Sequence, residues 1–211
     1  MNVLIVTGGY IGNENILKEN KVEYDYVICA DGGSRYIDLL NITPNIILGD
    51  FDSSDSIKIK EYEQKGIEVQ KFPTKKDKTD TELALDFALT KNPQKITMVG
   101  ATGTRIDHTV ANIHILKKCL EKGVNASIID DNNNISIINK QILIKKDHFK
   151  YLSLLPLTSK VEGITLKGTA YELKEATLSY GSSVGVSNEI VGEEAVIKVK
   201  SGILIVIQSR D

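Results

Sequence analysis

Several short segments of this chain are apolar from end to end and stop abruptly at glycine or aspartate. Residues 3–7 run into Gly8-Gly9, and residues 26–30 into Asp31-Gly32-Gly33. Residues 46–48 run into Gly49-Asp50, residues 96–99 into Gly100, and residues 126–129 into Asp130-Asp131. A shorter segment covers residues 67–69. A strand with one solvated face alternates apolar and polar residues; a strand covered on both faces does not have to. Unbroken apolar runs therefore predict parallel strands buried on both sides.

The stretches between them carry helical spacing. In residues 79–90, Leu83 and Phe87 lie four apart beside Ala84 and Ala88. In residues 107–122, Val110, Ile113, Leu116 and Leu120 repeat at helical intervals. Strand and helix in alternation predict an α/β domain with a mostly parallel sheet, a Rossmann-like three-layer arrangement, over residues 1–131. Beyond the Asn132-Asn133-Asn134 cluster the helical period disappears. Short strands at 135–138, 141–144, 151–155, 164–166, 176–178, 195–200 and 203–207 predict an all-β sandwich or barrel over residues 132–211, with Ser201-Gly202 as a hairpin turn.

A chain of 211 residues with 41% hydrophobic and 26% charged residues can bury a real core. Its formal net charge of −2 supplies no field to gather nucleic acid or an anionic membrane, so neither is an expected partner. The opening MNVLIVTGGY lacks a basic segment ahead of its apolar run and reads as a first core strand, which predicts a cytoplasmic protein. Cys29 and Cys119 have no partner at metal-ligand spacing and read as buried reduced thiols.

Open parallel sheets bind ligands beyond the carboxyl ends of their strands. That rule gathers Asp31, Asp50, Asp52, Asp77, Asp80, Arg105, Asp107 and His108 toward one crevice. Crowded carboxylates repel one another unless a cation lies among them, and Mg²⁺ favours such oxygen ligands together with a substrate phosphate. Lys75, Lys76, Lys78 and Arg105 are candidate partners for phosphate oxygens, and the glycines after strands let backbone amides approach an anion. His108 and Asn112 share a helix face turned away from Val110 and Ile113. Thr79 and Glu82 form a capping box and read as structural. These residues predict a Mg²⁺-dependent enzyme acting on a phosphate ester or anhydride.

At the same positions the chain resembles the thiamine pyrophosphokinase family. The matching stretches are ADGGSRYIDLL (30–40), PNIILGDFDS (44–53), KDKTDTELAL (76–85), GATGTRIDHTVANIHIL (100–116), YLSLLPLT (151–158) and GSSVGVSNEI (181–190), in family order. The resemblance implies ATP and thiamine as substrates, AMP and thiamine diphosphate as products, and a homodimer whose active sites are shared between subunits. It implies that Asp50, Asp52 and Asp77 hold Mg²⁺, with Asp80 an alternative to Asp77. Asp31, Gly32, Arg105, His108 and Asn112 would hold the nucleotide, and Asp80, Ser187 and Asn188 the thiamine. Asp52, Asp80, Arg105 and Asp107 would serve catalysis, with the proton acceptor open between Asp80 and Asp107. The chain has no tryptophan, so it looks like the bacterial branch, and Tyr180 is a candidate to stack on thiamine. Two rival expectations are a pyrophosphokinase for a hydroxymethylpterin-like alcohol and a non-catalytic thiamine- or nucleotide-binding regulator.

Overall fold

The structure, a computed structural model, describes residues 1–50, 56–72 and 77–211. Its backbone is mixed α/β and forms two compact units, Met1–Ile115 with Glu121–Asp131, and Leu116–Leu120 with Asn132–Asp211.

The first unit is built on β1 (Asn2–Val6), β2 (Tyr26–Ala30), β3 (Ile46–Gly49), β4 (Glu68–Lys71), β5 (Lys95–Val99) and β6 (Asn125–Ile129), in the spatial order β4-β3-β2-β1-β5-β6. Every pairing within that set is parallel. Consecutive residues Leu4 and Ile5, and Ile46, Ile47 and Leu48, are all fully buried, so both faces of these strands are covered. Each such Leu or Ile contributes about 1.5–3 kcal/mol on leaving water. That is why the runs do not alternate. The exception is β4, whose Glu68, Gln70 and Lys71 are exposed, as suits an edge strand that must not recruit another chain.

Short α1 (Ile16–Glu19) follows β1, a 3₁₀ turn (Asp31–Tyr36) follows β2, and α2 (Ser56–Gln64) precedes β4; the sequence periodicity had pointed to none of them. Helix α3 (Asp80–Thr90) begins at Thr79, whose side-chain oxygen accepts from the Glu82 amide at 3.2 Å, as the capping box predicts. Its buried face is Ala84, Leu85, Ala88 and Leu89, not the expected pair Leu83 and Phe87, which are half-buried. The two alanines let the helix lie close on β2, and Leu83 and Phe87 are displaced to its flanks. Helix α4 (Ile106–Glu121) differs too: Asn112, Leu116 and Cys119 are buried, while Val110 is 44% exposed beside Ile106 at 68%. No helix among the described residues is long and apolar enough to cross a membrane.

The second unit holds β7 (Asn133–Ile138), β8 (Gln141–Lys145), β9 (Tyr151–Pro156), β10 (Lys160–Lys167), β11 (Leu173–Ser179), β12 (Asn188–Glu189), β13 (Glu194–Lys198) and β14 (Leu204–Ser209). Antiparallel pairing gives one run β12-β9-β14-β7 and a second sheet β11-β10-β13-β8. Leu152, Leu154, Leu204 and Val206 of the first run share one apolar core with Val161, Ile164, Leu166 and Ile197 of the second. The expected hairpin at Ser201-Gly202 is not one, because β13 and β14 belong to different sheets. There Gly202, at φ +90°, turns the chain from one sheet to the other; a Cβ on it would lie 2.6 Å from the Lys160 carbonyl oxygen.

If α3 anchors the sheet end through Leu85, then Leu85→Ala lowers the unfolding free energy by about 2–5 kcal/mol, because the rigid alanine contacts on either side leave the cavity unfilled. Equilibrium urea denaturation measures it; a loss below about 1 kcal/mol would show that the helix is not packed as described.

Candidate active site

The strand order reverses between β1 and β5. From β1 the chain steps outward through β2, β3 and β4, then returns to place β5 on the other side of β1. Crossover connections diverge at such a point and leave a crevice beyond the carboxyl ends. A cleft of about 580 Å³ opens here, within the range of small-molecule sites. Its walls come from Thr7 to Tyr10 after β1, Ala30, Arg35 and Tyr36 after β2, Thr79 to Thr81 at the start of α3, Gly100 to Arg105 after β5, and His108 and Asn112 on α4.

The floor is backbone. Beyond the last strand residues, β1 and β5 stay stitched together: the Thr7 amide donates to Val99 O at 2.9 Å, Gly9 to Gly100 O at 2.7 Å, and Tyr10 to Thr102 O at 3.0 Å. The buried Thr7 hydroxyl donates to Gly100 O at 2.5 Å. A Cβ on Gly9 would stand 2.2 Å from both the Gly100 and Thr102 carbonyl oxygens, so only glycine permits this approach. Gly100 itself sits at φ +69°. The Thr102 hydroxyl donates to Asp130 at 2.8 Å and ties the β5 loop to the end of β6.

Side chains close the sides. The Asn112 amide, buried, donates to Ala101 O at 2.7 Å and joins α4 to the loop. Arg105 holds Asp107 at 2.6 Å and 3.3 Å in a two-point pair, with both side chains exposed. The Arg105 hydrogen bond holds the Asp107 carboxyl below the usual aspartate range, helped by the His108 backbone amide, and Asp107 in turn raises Arg105. Burial pushes the Cys29 thiol up to about 12, which removes it as a nucleophile.

Of the residues singled out by sequence, Asp80, Arg105, His108 and Asn112 line this one cleft, with Asp107 on Arg105 at its rim. Asp31 opens the 3₁₀ turn, and Gly32 lies against Gly8, a Cβ on it reaching the Gly8 Cα at 3.4 Å. Asp50, half-buried at the end of β3, and Asp77, in the exposed turn before α3, do not line the cleft. Asp52, with Lys75 and Lys76, lies outside the described residues. Lys78 is engaged by Asp86 at 2.7 Å. Among the described residues no three His, Cys, Asp or Glu side chains gather closely enough to hold a metal ion, and the expected trio includes Asp52.

In the second unit, Ser187 is exposed at φ +60° and its amide donates to the Ser153 hydroxyl at 3.0 Å. Buried Asn188 donates to Tyr171 O at 2.6 Å and to the Thr169 hydroxyl at 3.3 Å, and accepts from the Tyr171 and Glu189 amides at 3.0 and 2.9 Å. That fills the amide's capacity. Tyr180 is 62% exposed, with its hydroxyl on Leu157 O at 2.6 Å. Sequence reasoning had passed over Arg35, Tyr36 and Tyr10, although Arg35 and Tyr36 stand inside the 30–40 stretch just past the end of β2.

Comparison with known proteins places these features in a family. Residues 17–128 match the model for the thiamin pyrophosphokinase catalytic domain, and residues 139–204 match the model for the thiamin pyrophosphokinase vitamin B1 binding domain. The thiamine pyrophosphokinase of Bacillus subtilis (strain 168) is 31% identical over 191 residues, covering 90% of this chain and 89% of that protein. The crystal structure of thiamine pyrophosphokinase from Bacillus subtilis superposes with a TM-score of 0.87 at 32% identity, covering 100% of both chains. That of thiamin pyrophosphokinase from Geobacillus thermodenitrificans gives 0.86 at 28% identity, covering 100% of this chain and 98% of the other.

The Arg105–Asp107 pair makes a pH-dependent prediction. Because the folded carboxyl is depressed, the pair's contribution is present above the ordinary aspartate value and is lost as the pH falls through the folded one. In a carbon-detected NMR titration, Asp107 should titrate below a typical exposed aspartate, and Arg105→Gln should move its midpoint upward. A midpoint unmoved by that substitution would show that the pair does not form.

Proposed function

The chain belongs to the thiamine pyrophosphokinase family, and from that membership and the cleft's construction we infer that it transfers a pyrophosphoryl group from ATP to the hydroxyl of thiamine, releasing AMP. The observation that carries the reading is the glycine-floored cleft at the strand-order switch, where backbone and cationic side chains meet. We read the first unit as a Rossmann-like catalytic domain, residues 1–131, and the second as a β-sandwich that contacts thiamine, residues 132–211. The protein is read as cytoplasmic.

The hydroxyl oxygen of thiamine attacks the β-phosphorus in line, forming the new O–P bond as the bridge between the α- and β-phosphorus breaks, and AMP departs with the bridging oxygen. Arg105 and His108 position the phosphate chain over the loop after β5, and Asn112 keeps that loop in place through Ala101. Asp31 and Gly32 border the nucleotide. The proton of the attacking hydroxyl goes to Asp80. Asp107 is already engaged by Arg105, which holds its carboxyl below the usual aspartate range; its task is to aim Arg105.

The carboxylates available near these strand ends are hard oxygen donors, with no cysteine or histidine cluster among the described residues to select a softer metal. Mg²⁺ usually takes only one or two carboxylates beside phosphate and water, so this donor set fits it. We assign Asp50, Asp52 and Asp77 to hold it. Bound there, Mg²⁺ would screen the charge on the phosphates being transferred. We further propose a homodimer in which Ser187 of a second copy contacts the thiamine pyrimidine, with Asn188 fixing the shape of the loop that presents it.

An AMP-release assay with Mg²⁺, ATP and thiamine, each omitted in turn, tests the reading. AMP should form only when all are present, and a hydroxymethylpterin should not replace thiamine. Tight thiamine binding without AMP would instead make the chain a regulator.

A further inference from the structure

The cleft holds a cation that neither the motif reading nor the proposed mechanism uses. Arg35, on the 3₁₀ turn after β2, is exposed and lines the cleft wall. Its Nη2 donates to the Gly8 carbonyl and, at 3.2 Å, to the Gly9 carbonyl. Its guanidinium carbon stands 4.8 Å over the centre of the Tyr36 ring, and the Tyr36 hydroxyl donates to the same Gly9 carbonyl at 2.6 Å. Two carbonyls and an aromatic face thus fix a side chain that otherwise has great rotamer freedom.

An arginine has five N–H donors, and here the two on Nη2 are accounted for. Nε and Nη1 meet no acceptor and no carboxylate among the described residues. Arg105, across the same cleft, has its positive charge matched by Asp107 at 2.6 Å. The cleft therefore contains one arginine with its charge already partnered and one held in place by carbonyls, with no carboxylate on it among the described side chains. A pre-aimed guanidinium edge is shaped for two oxygens of a phosphate or carboxylate, and ordering it beforehand removes entropy that binding would otherwise cost.

We propose that Arg35 is a phosphate-binding residue of this cleft, taking the polyphosphate chain of the nucleotide on its Nε and Nη1 edge. The assignment rests on the reading of the cleft as a nucleotide site and adds a contact from the β2 side to those drawn from the β5 side. The Gly8 and Gly9 carbonyls that hold Arg35 belong to the seam between β1 and β5, so the residue that meets the anion is braced by the cleft floor itself. Thiamine is a cation and gains nothing from this group. Arg35 therefore acts on one substrate and not on the other.

The test uses isothermal titration of the full chain with Mg²⁺-ATP, with inorganic tripolyphosphate, and with thiamine, comparing wild type, Arg35→Gln and Arg35→Lys, with a melting temperature for each. Loss of a charge-assisted two-point contact should weaken tripolyphosphate and ATP by about 10- to 100-fold in Arg35→Gln. Thiamine affinity should stay within about two-fold, since no phosphate contact to it is lost. Arg35→Lys, which keeps the charge but loses the fork, should recover part of the phosphate affinity. If Arg35→Gln unfolds, Arg35→Lys alone decides: tripolyphosphate weaker by several-fold upholds the assignment. Unchanged tripolyphosphate affinity in the folded variants overturns it. So does an equal loss for thiamine and tripolyphosphate with a lowered melting temperature, which would make Arg35 only a brace for the Gly8-Gly9 loop. A wild-type chain that binds neither ATP nor tripolyphosphate overturns the nucleotide reading itself, and this assignment with it.

Discussion

A seam of backbone hydrogen bonds, from the Gly9 amide to Gly100 O and from the Tyr10 amide to Thr102 O, carries the pairing of β1 and β5 past the ends of the strands. It exists because neither glycine has a side chain to hold the two loops apart: a Cβ on Gly9 would overlap two carbonyl oxygens, and one on Gly100 would lie 2.4 Å from Thr7 O. The seam gives the crevice at the strand-order switch a floor of main chain. A floor of side chains would fill that space and hold water; a floor of backbone leaves room for a flat or extended ligand to lie close. Tyr36 and Arg35 brace it from the β2 side, and Thr102, through Asp130, from the β6 side.

Charge is arranged on this floor in two different ways. At the rim, Arg105 and Asp107 neutralise each other, which aims the guanidinium and depresses the carboxyl. Exposed pairs of this sort stabilise the fold little, so their value here is orientation. On the opposite wall, Arg35 is aimed by carbonyls and an aromatic ring, with no carboxylate spent among the described residues. In the proposed reading, Asp50, Asp52 and Asp77 would add the oxygen donors that a phosphate-bound Mg²⁺ requires. Catalysis of phosphoryl transfer needs this kind of positioning and charge balance more than it needs a covalent nucleophile, and the buried, high-pKa Cys29 offers none.

Much of the fold was legible in the sequence where a single physical rule dominates. Unbroken apolar runs marked the buried parallel strands because residues such as Leu4 and Ile5 are both inside. The capping box marked the start of α3 because its hydrogen bond is local. The His108–Asn112 spacing put both on the cleft side of α4 for the same local reason. Helix faces were harder. Leu83 and Phe87 are four apart and large, yet the buried face of α3 is Ala84, Leu85, Ala88 and Leu89, where two small side chains leave room for two leucines. The Ser201-Gly202 turn looked like a hairpin since turn chemistry says where a chain bends and not which sheet it bends into. Arg35 went unread because the carbonyls that hold it in the cleft wall are about 26 positions away, which no local pattern encodes.

The central claim is that a nucleotide's phosphates lie on the glycine seam. Backbone amide chemical shifts, followed while a non-hydrolysable ATP analogue with Mg²⁺ is added, report this directly. The largest changes are expected at Gly8, Gly9 and the loop from Gly100 to Arg105. Saturable binding that leaves those amides unmoved, with the changes gathered in the second unit, would contradict it.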